Sequence, residues 1–455
     1  MSWASGRRTR NRSTGLNPAQ GDRVSRRRPR CQRRLLFNGG GDSPPGARTM
    51  TPRGAGKRKR EIATLAIHGS ADQAGSDSIG VPLTPPIVQA STFAFETPEE
   101  MISVFEGKKP GYVYSRYGNP TLSIVEEKLA ALEGGSYGLL FSSGLAAIHA
   151  VLWHGLKTGD RILTSRDLYG GTIDLMSRLL PRLGVEWIRV DINDEEEYQA
   201  ALSEGPDLVY FETPTNPLLR IVDGARATAL AHGVGARVAV DNTFATPILQ
   251  NPIEWGADFV LHSATKYLGG HSDLVLGAVV GRGNDESGLE RVRRDHGASA
   301  DPFAAWLLNR GLATLAVRVR AQAATAEYLV ERLARHPRVE RAHYPGLDGD
   351  PGHAIAARQM RGYGGMFSLT LRDGREAAVA LMSGLRLIRL ATSLGGVETL
   401  VSHPATSSHR MLPPQEREDL GIREGTVRFS VGLEDREDLL ADIEEALGEA
   451  GGEGR

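Results

Sequence analysis

Asp241 and Lys266 each follow a short apolar run of the sequence. If both runs are strands of one parallel sheet, the two side chains emerge at the same carboxyl edge, where open α/β sheets bind ligands. An amine and a carboxylate at such an edge suit pyridoxal phosphate (PLP). The lysine forms a Schiff base with the aldehyde, and the acid keeps the pyridine nitrogen protonated. Ser263 and Thr265 flank this lysine and add hydroxyl groups suited to a phosphate. The pattern therefore predicts a PLP site.

Further polar residues follow the other predicted strands. Ser143, Tyr169 and Asn216 come directly after short apolar segments. The turn at Ser143 opens a predicted helix, and the free N–H groups of a helix N-terminus bind anions. Tyr169 lies in a glycine-flanked turn, where its ring can lie over a flat cofactor or simply pack on the core. Taken singly, a lysine after a strand is usually solvated and an aspartate there is usually a cap. The prediction depends on all of these residues sharing one edge.

A phosphate clamp is indicated earlier in the chain. Tyr114 and Arg116 alternate across Ser115, so an extended backbone points both side chains to the same side. A phenol and a guanidinium together bind phosphate well. The plain alternative is an exposed loop that contains this pair by chance.

The elements that must position these residues alternate in type. Short apolar segments separate four segments of helical periodicity, at residues 121–133, 172–183, 194–202 and 222–233. This alternation predicts a parallel, doubly wound α/β sheet. A long helical region from about 302 to 335 then leads to a second domain. The predicted domains are a disordered tail (1–60), an extended arm (61–118), a PLP-binding domain (119–315) and a C-terminal α/β domain (316–455).

Two segments of the second domain carry candidate substrate-binding residues. Arg428 stands inside an apolar segment, where a lone guanidinium needs an anion such as a substrate carboxylate. A structural ion pair with an acid is the alternative. Ser393 and Glu398 lie in a glycine-hinged turn and are further candidates.

The composition bounds the class of protein. At 455 residues, with 40% hydrophobic and 24% charged residues, the chain is long enough for two or three globular domains. No apolar run reaches the roughly 18 residues of a membrane span. The only cysteine, Cys31, lies in the predicted tail, so the folded body has no disulfide, which fits a cytoplasmic protein. The histidine pairs His262/His271 and His403/His409 lack the spacing of a zinc site, and we expect no metal.

Residues 1–49 differ from the rest of the chain in charge. They hold twelve of the 54 basic residues but only Asp22 and Asp42 of the 55 acidic ones, which leaves an acidic body. Such a body is a poor nucleic-acid surface, and we expect no nucleic-acid partner. A nucleic-acid-binding arm is the alternative from another functional class. The composition of the tail predicts disorder. The tail resembles a transit peptide, or it is an untranslated extension ahead of a start codon at Met50, and we favour the second interpretation.

The assembled motifs resemble those of the Cys/Met-metabolism family of PLP enzymes, which includes cystathionine γ-synthase, cystathionine γ-lyase, methionine γ-lyase and O-acylhomoserine sulfhydrylase. The motifs are YSRYGNPT, SSGLAA, DLYGGT, ETPTNP, VDNTF, HSATKYLGGHSD, SLGGVETL and VRFSVGLED, spread over residues 64–447. The resemblance implies fold type I, with a mostly parallel seven-stranded sheet and a smaller C-terminal α/β domain. It also implies a homotetramer that acts on sulfur-containing amino acids, with each active site shared between two subunits.

The resemblance implies a role for each motif residue. Lys266 corresponds to the lysine that binds PLP, and Asp241 to the acid at the pyridine nitrogen. Tyr169 corresponds to the residue that stacks on the ring and assists the leaving group. The phosphate-binding groups come from two subunits, with Gly144, Leu145, Ser263 and Thr265 from one and Tyr114 and Arg116 from the other. The substrate-binding residues are Asn216, Ser393, Glu398 and Arg428.

The family chemistry is γ-elimination or γ-replacement on amino acids derived from homoserine or cystathionine. Gly171 stands where methionine γ-lyases carry a cysteine, whereas the SLGGVETL segment resembles the cystathionine enzymes. Ser407 and Ser408 depart from the Met and Thr common in the family, which leaves substrate preference open. We expect a cystathionine γ-lyase ahead of a γ-synthase or O-acylhomoserine sulfhydrylase, followed by methionine γ-lyase and cystathionine β-lyase. We also expect a lowered pKa for Lys266, since it must act as a free amine.

Overall fold

Two β-sheets with surrounding helices make up the described part of the chain, residues 60–69 and 82–449 of the computed structural model. The predicted tail lies outside these residues, apart from Arg60. The strands are, in chain order, β1 (Tyr137–Phe141), β2 (Arg161–Ser165), β3 (Glu186–Val190), β4 (Leu208–Glu212), β5 (Arg237–Asp241), β6 (Phe259–Ser263), β7 (Gly277–Gly281), β8 (Val339–His343), β9 (Met366–Leu371), β10 (Arg389–Leu390), β11 (Leu400–Ser402) and β12 (Thr426–Ser430). The helices are, in chain order, α1 (Ile62–His68), α2 (Pro98–Phe105), α3 (Pro120–Glu133), α4 (Gly144–Gly155), α5 (Gly170–Leu183), α6 (Glu195–Ser203), α7 (Gly224–Gly233), α8 (Thr246–Leu249), α9 (Glu286–His296), α10 (Pro302–Ala313), α11 (Leu315–Leu333), α12 (His353–Gln359), α13 (Gly374–Gly384), α14 (Pro414–Asp419) and α15 (Arg436–Glu449).

The larger sheet has seven strands in the order β1-β7-β6-β5-β4-β2-β3. Strands β2 to β6 pair in parallel, whereas β7 is antiparallel to both β1 and β6. Strands β1, β4 and β7 are buried at every residue, as expected for a sheet covered on both faces. The prediction of a mostly parallel α/β sheet is confirmed. Only β7 departs from the strictly parallel sheet that the alternation of elements indicates.

Capping residues fix where the helices near the sheet edge begin. The side chain of Asn119 accepts the N–H of Thr121 and so caps α3, which ends at Gly134 in the left-handed conformation (φ 77°). Ser143 caps α4 by accepting the N–H of Ala146 at 3.2 Å. Helix α4 therefore begins almost directly at the carboxyl end of β1.

The smaller sheet has five strands in the order β10-β11-β12-β9-β8. Arg428 lies on β12, in the middle of this sheet, in register with Ser402 of β11 and Ser368 of β9. The central position explains why the surrounding sequence is apolar, because both neighbouring strands cover it. The predicted C-terminal α/β region is confirmed in type, while the predicted domain boundaries stay predictions.

One prediction about the elements is wrong. The predicted extended arm contains α1 and α2, because the apolar Ile62, Leu65 and Ala66 recur at helical spacing over a segment too short to reveal its period. The predicted long helical region from about 302 to 335 is present as two consecutive helices, α10 and α11. The chain leaves helical geometry at Thr314 (φ −108°, ψ 4°), shortly after the poor helix former Gly311.

Among the helices of residues 60–69 and 82–449, none has both the length and the apolar character required to cross a bilayer. In the same residues, no group of three or more His, Cys, Asp or Glu side chains is arranged to hold a metal ion.

Candidate active site

A cavity of about 660 Å³ lies at the carboxyl ends of the parallel strands. The residues predicted to follow strands all line it, namely Ser143, Tyr169, Asn216, Asp241 and Lys266. The remaining predicted residues that line it are Gly144, Leu145, Ser263, Thr265, Ser393 and Arg428. The common edge that the sequence indicates is therefore present, with the smaller sheet bordering it through β12.

Lys266 reaches this cavity from the turn after β6. Its Nζ donates a hydrogen bond to the hydroxyl of Ser393 at 2.7 Å. Ser393 has a φ of 95°, in a region that residues other than glycine rarely occupy, and its carbonyl oxygen accepts from Arg428 at 2.9 Å. Burial, and then the charge of Arg428, lower the pKa of Lys266 from 10.5 to about 8. The expected lowered pKa is confirmed, so part of the amine is neutral near neutral pH.

Two carboxyl groups lie side by side at the ends of β4 and β5, where Glu212 and Asp241 are in register. Glu212 accepts the N–H of Tyr169 at 2.7 Å. Asp241 accepts the N–H of Thr243 at 2.9 Å and the hydroxyl of Tyr210 at 3.4 Å. Burial raises the pKa of Asp241, and burial together with the charge of Asp241 raises the pKa of Glu212 well above its usual range. No Lys or Arg of residues 60–69 and 82–449 forms an ion pair with either acid.

These groups fit PLP. No Lys or Arg of the described residues forms an ion pair with Asp241, and a protonated pyridine nitrogen would supply that cation. At Gly144, an added Cβ would lie 2.9 Å from the Cβ of Ser263, so glycine permits the close approach of α4. The first N–H groups of a helix have no helical partner and bind anions such as a phosphate. The hydroxyl of Thr265 is less available, because it already bonds the backbone N and O of Leu276 at 3.1 Å.

Arg428 is a buried cation, with 4% of its surface exposed. It donates to the side-chain oxygen of Asn216 at 2.8 Å and to the backbone oxygen of Ser393. Its Nε has no partner in the described part of the chain. Burial lowers its pKa to about 10, so it stays protonated at neutral pH. No described acid forms an ion pair with it, which argues against the structural ion pair and leaves room for an anionic ligand group.

Three predicted residues do not line the cavity. Glu398 is exposed on the nearby turn. Residues 114–117 form a turn closed by a 2.8 Å hydrogen bond from Tyr117 to Tyr114, so the predicted extended backbone is wrong here. The Arg116 guanidinium still lies 5.6 Å from the ring of Tyr114, and 4.9 Å from that of Tyr117, where cation–π attraction favours the turn. The phosphate contact of Tyr114 and Arg116 was expected across a subunit boundary and stays a prediction.

Sequence reasoning missed three residues that belong to this region. Tyr210 precedes Glu212 by two positions on β4, so the period of a strand would have placed it on the same face. His409 is buried at 1% exposure, which lowers its pKa to about 4. Arg410 follows it and lines the cavity. The last two gave no local signal, because a segment far along the chain brings them here.

The topology and the lysine after β6 define the class of this chain, a PLP-dependent enzyme of fold type I. The family follows from comparison with known proteins. The family model described as Cys/Met metabolism PLP-dependent enzyme matches residues 63–448. The chain belongs to this family, and its cofactor is PLP.

Relatives in this family have names that cover several reactions. The L-methionine gamma-lyase of Fusobacterium nucleatum subsp. nucleatum is 43% identical over 393 residues, which covers 86% of this chain and 98% of the relative. The cystathionine beta-lyase of Lactococcus lactis subsp. cremoris is 44% identical over 387 residues, with coverage of 85% and 98%. The crystal structure of cystathionine gamma synthase from Xanthomonas oryzae pv. oryzae in complex with cystathionine superimposes with a TM-score of 0.81 at 42% identity, covering 86% and 98%. The chain is thus a transsulfuration-type PLP enzyme.

Proposed function

We propose that this enzyme is a cystathionine γ-lyase. Cystathionine and one water give cysteine, 2-oxobutyrate and ammonia, as the bond between sulfur and the γ-carbon breaks. The observation that carries the proposal is the position of Lys266, whose amine has a pKa of about 8 and lines the cavity beside Ser393. An amine of this kind can take and return protons near neutral pH.

Proton transfer by Lys266 is the central step. Bound PLP supplies an electron sink that stabilises negative charge at the substrate's α-carbon. γ-Elimination needs protons removed from the α- and β-carbons and a proton delivered to the γ-carbon in the product. Lys266 is the group that we assign to these transfers, and the 2.7 Å contact with Ser393 orients its amine.

The other cavity residues bind and orient. Arg428 and Asn216, already bonded to each other at 2.8 Å, would hold the α-carboxylate, with Ser393 beside them and Glu398 at the rim. Tyr169 would stack on the cofactor ring and face the departing sulfur, and Asp241 would hold the ring nitrogen. We assign the phosphate to Gly144, Leu145, Ser263 and Thr265, with Tyr114 and Arg116 of the partner subunit in a cytoplasmic homotetramer.

Gly171 supports cystathionine over methionine as the substrate. An added Cβ at this position would lie 2.5 Å from Cε1 of Tyr169. A cysteine here, as in the methionine γ-lyases, would push the Tyr169 ring out of its present position. The second candidate is cystathionine γ-synthase, which the similarity to the Xanthomonas oryzae enzyme favours and which would use the same residues.

The two candidates are separated by a product assay on the purified protein with PLP. One reaction contains cystathionine alone, and the other contains O-acetyl- or O-succinylhomoserine with cysteine. We expect rapid release of 2-oxobutyrate and cysteine from cystathionine. Formation of cystathionine from the homoserine ester, with little breakdown, would overturn the proposal in favour of the γ-synthase. Pyruvate and homocysteine from cystathionine would identify a β-lyase.

A further inference from the structure

The segment after β11 packs on the turn that carries Tyr169. Nε2 of the buried His409 lies 3.3 Å from the backbone oxygen of the residue before this tyrosine. An added Cβ on Gly170 would lie 1.8 Å from the carbonyl oxygen of Ser408, so only glycine permits the contact. Arg410 follows directly and lines the cavity together with Tyr169. The backbone that carries Arg410 is therefore held on the side assigned to the leaving group.

Within the part of the chain that the structure describes, no acid neutralises the guanidinium of Arg410. Its side chain is exposed, and it forms no ion pair or hydrogen bond through its guanidinium with any residue in 60–69 or 82–449. The other basic residues of the cavity, Lys266 and Arg428, are engaged in hydrogen bonds deeper in the site. The acids Glu212 and Asp241 also lie deep and are bonded to backbone N–H groups. The outer side of the cavity therefore carries a positive charge that is open to a ligand.

We propose that Arg410 binds a carboxylate at the far end of the substrate's γ-substituent. This inference rests on the proposed function, in which Arg428 holds the α-carboxylate and Tyr169 faces the sulfur. Two guanidinium groups would then bind the two ends of a substrate with two carboxylates. Cystathionine has a second carboxylate beyond its sulfur, whereas the γ-substituent of methionine ends in a neutral methyl group. A guanidinium fork matches a carboxylate in two parallel hydrogen bonds.

Matched pairs of substrates test this assignment. Cystathionine and methionine form one pair; O-succinylhomoserine and O-acetylhomoserine form a second, in which one member carries an additional carboxylate. We expect Arg410→Gln to lower kcat/KM about tenfold for the charged member of each pair, mainly by raising KM. The neutral member should change less than about twofold. Arg410→Lys should give an intermediate value, because it keeps the charge but loses the fork.

Equilibrium binding provides a readout that does not depend on turnover. In a Lys266→Ala background, calorimetry should show about tenfold weaker binding of cystathionine after Arg410→Gln, with methionine unchanged. The matched control is Arg335→Gln, which removes an exposed arginine that does not line the cavity and should change neither substrate.

Equal losses for both members of a pair, or no loss for either, would overturn the assignment of Arg410. Failure of the proposed function looks different, because the unaltered enzyme would then release no 2-oxobutyrate from cystathionine. In that case the homoserine esters and the binding measurements still decide whether Arg410 binds the carboxylate of the γ-substituent.

Discussion

Two lysines of this enzyme have a pKa lowered to about 8, and burial is the main cause for both. Lys128, on α3, donates to the backbone oxygen of Ile67 at 3.1 Å and to the side-chain oxygen of Asn309 at 2.6 Å. Lys266 donates to one hydroxyl and lines a cavity. A lowered pKa therefore does not identify a catalytic lysine by itself. What distinguishes Lys266 is its access to a cavity whose acids and arginines form no ion pair with any other residue of 60–69 and 82–449.

The region around Lys128 has a structural role. Ile67 belongs to the last turn of α1, and a cation near the carbonyl groups of a helix C-terminus is favourable. Ala66 of the same helix is buried at 1% exposure. Lys128 thus links α3 to α1 and α10 through fixed hydrogen bonds. Lys266 differs, because its amine must be free to transfer protons.

The largest difference between the two lysines should appear in turnover. Lys266→Ala should lower the rate of 2-oxobutyrate formation by a factor on the order of 10⁴ or more, since the proton-transfer group is removed. Lys128→Met should keep the rate within about threefold. Circular dichroism of both variants checks that they are folded. Comparable losses in the two variants would contradict the distinction.

The second largest effect should be that of Asp241 on the affinity for PLP. Asp241→Asn should weaken PLP binding about a hundredfold, because it removes the charge that we assign to the pyridine nitrogen. Titration of the apoenzyme with PLP, followed by absorbance, measures this constant. Tyr210→Phe is a neighbouring control, since it removes only the long 3.4 Å hydrogen bond to Asp241 and keeps the carboxylate, and it should have a much smaller effect. An unchanged affinity in Asp241→Asn would remove the acid from the site.

The pH dependence of the rate should also distinguish Lys266 from Lys128. Lys266 must be neutral to accept a proton, and its pKa of about 8 lies below the usual 10.5. The rate should therefore rise about tenfold from pH 7 to pH 9 as this amine loses its proton. Lys128→Met should leave the rise in place. A rate that rises only above pH 10 would mean that the amine is not perturbed in the working enzyme.

The smallest effect should be on thermal stability, and it should depend on Lys128. The pKa of Lys128 is about 8 in the folded chain against 10.5 ordinarily, so the unfolded state binds the proton more tightly. The cost of burying the charge is present in full below pH 8 and is relieved as pH rises toward 10.5. Lys128→Met should remove this dependence, which amounts to about 1–2 °C in Tm. Thermal melts at pH 7.5 and 9.5 measure it, and an unaltered slope would contradict the account.

The position of Asp241 and Lys266 could be predicted because strands and helices alternate regularly in this part of the sequence. Each strand here is short, apolar and followed by a polar residue, so the shared carboxyl edge follows from the pattern itself. The antiparallel direction of β7 could not be predicted from this pattern. This strand returns antiparallel between β1 and β6, and a strand's direction depends on its connections more than on its own composition.

The features that could not be predicted from the sequence depend on contacts between distant segments. Arg410 reaches the cavity because the backbone at Gly170 admits the Ser408 carbonyl group, a fit that no local spacing indicates. The helix α1 depends on a lysine of α3 to hold it. By contrast, the need of Arg428 for an anion could be predicted locally, because a charge in an apolar strand requires a partner wherever the strand lies. Its Nε has no partner in the described part of the chain, and the substrate carboxylate stays a prediction.

The most direct test asks which lysine carries the cofactor. Borohydride reduction of the holoenzyme fixes PLP on the amine to which it is bonded, and proteolysis with mass spectrometry then locates the added mass. We expect one modified residue, Lys266, with Lys128 unmodified although their pKa values are similar. Modification of Lys128, or of any lysine other than Lys266, would contradict the assignment of this cavity as the active site.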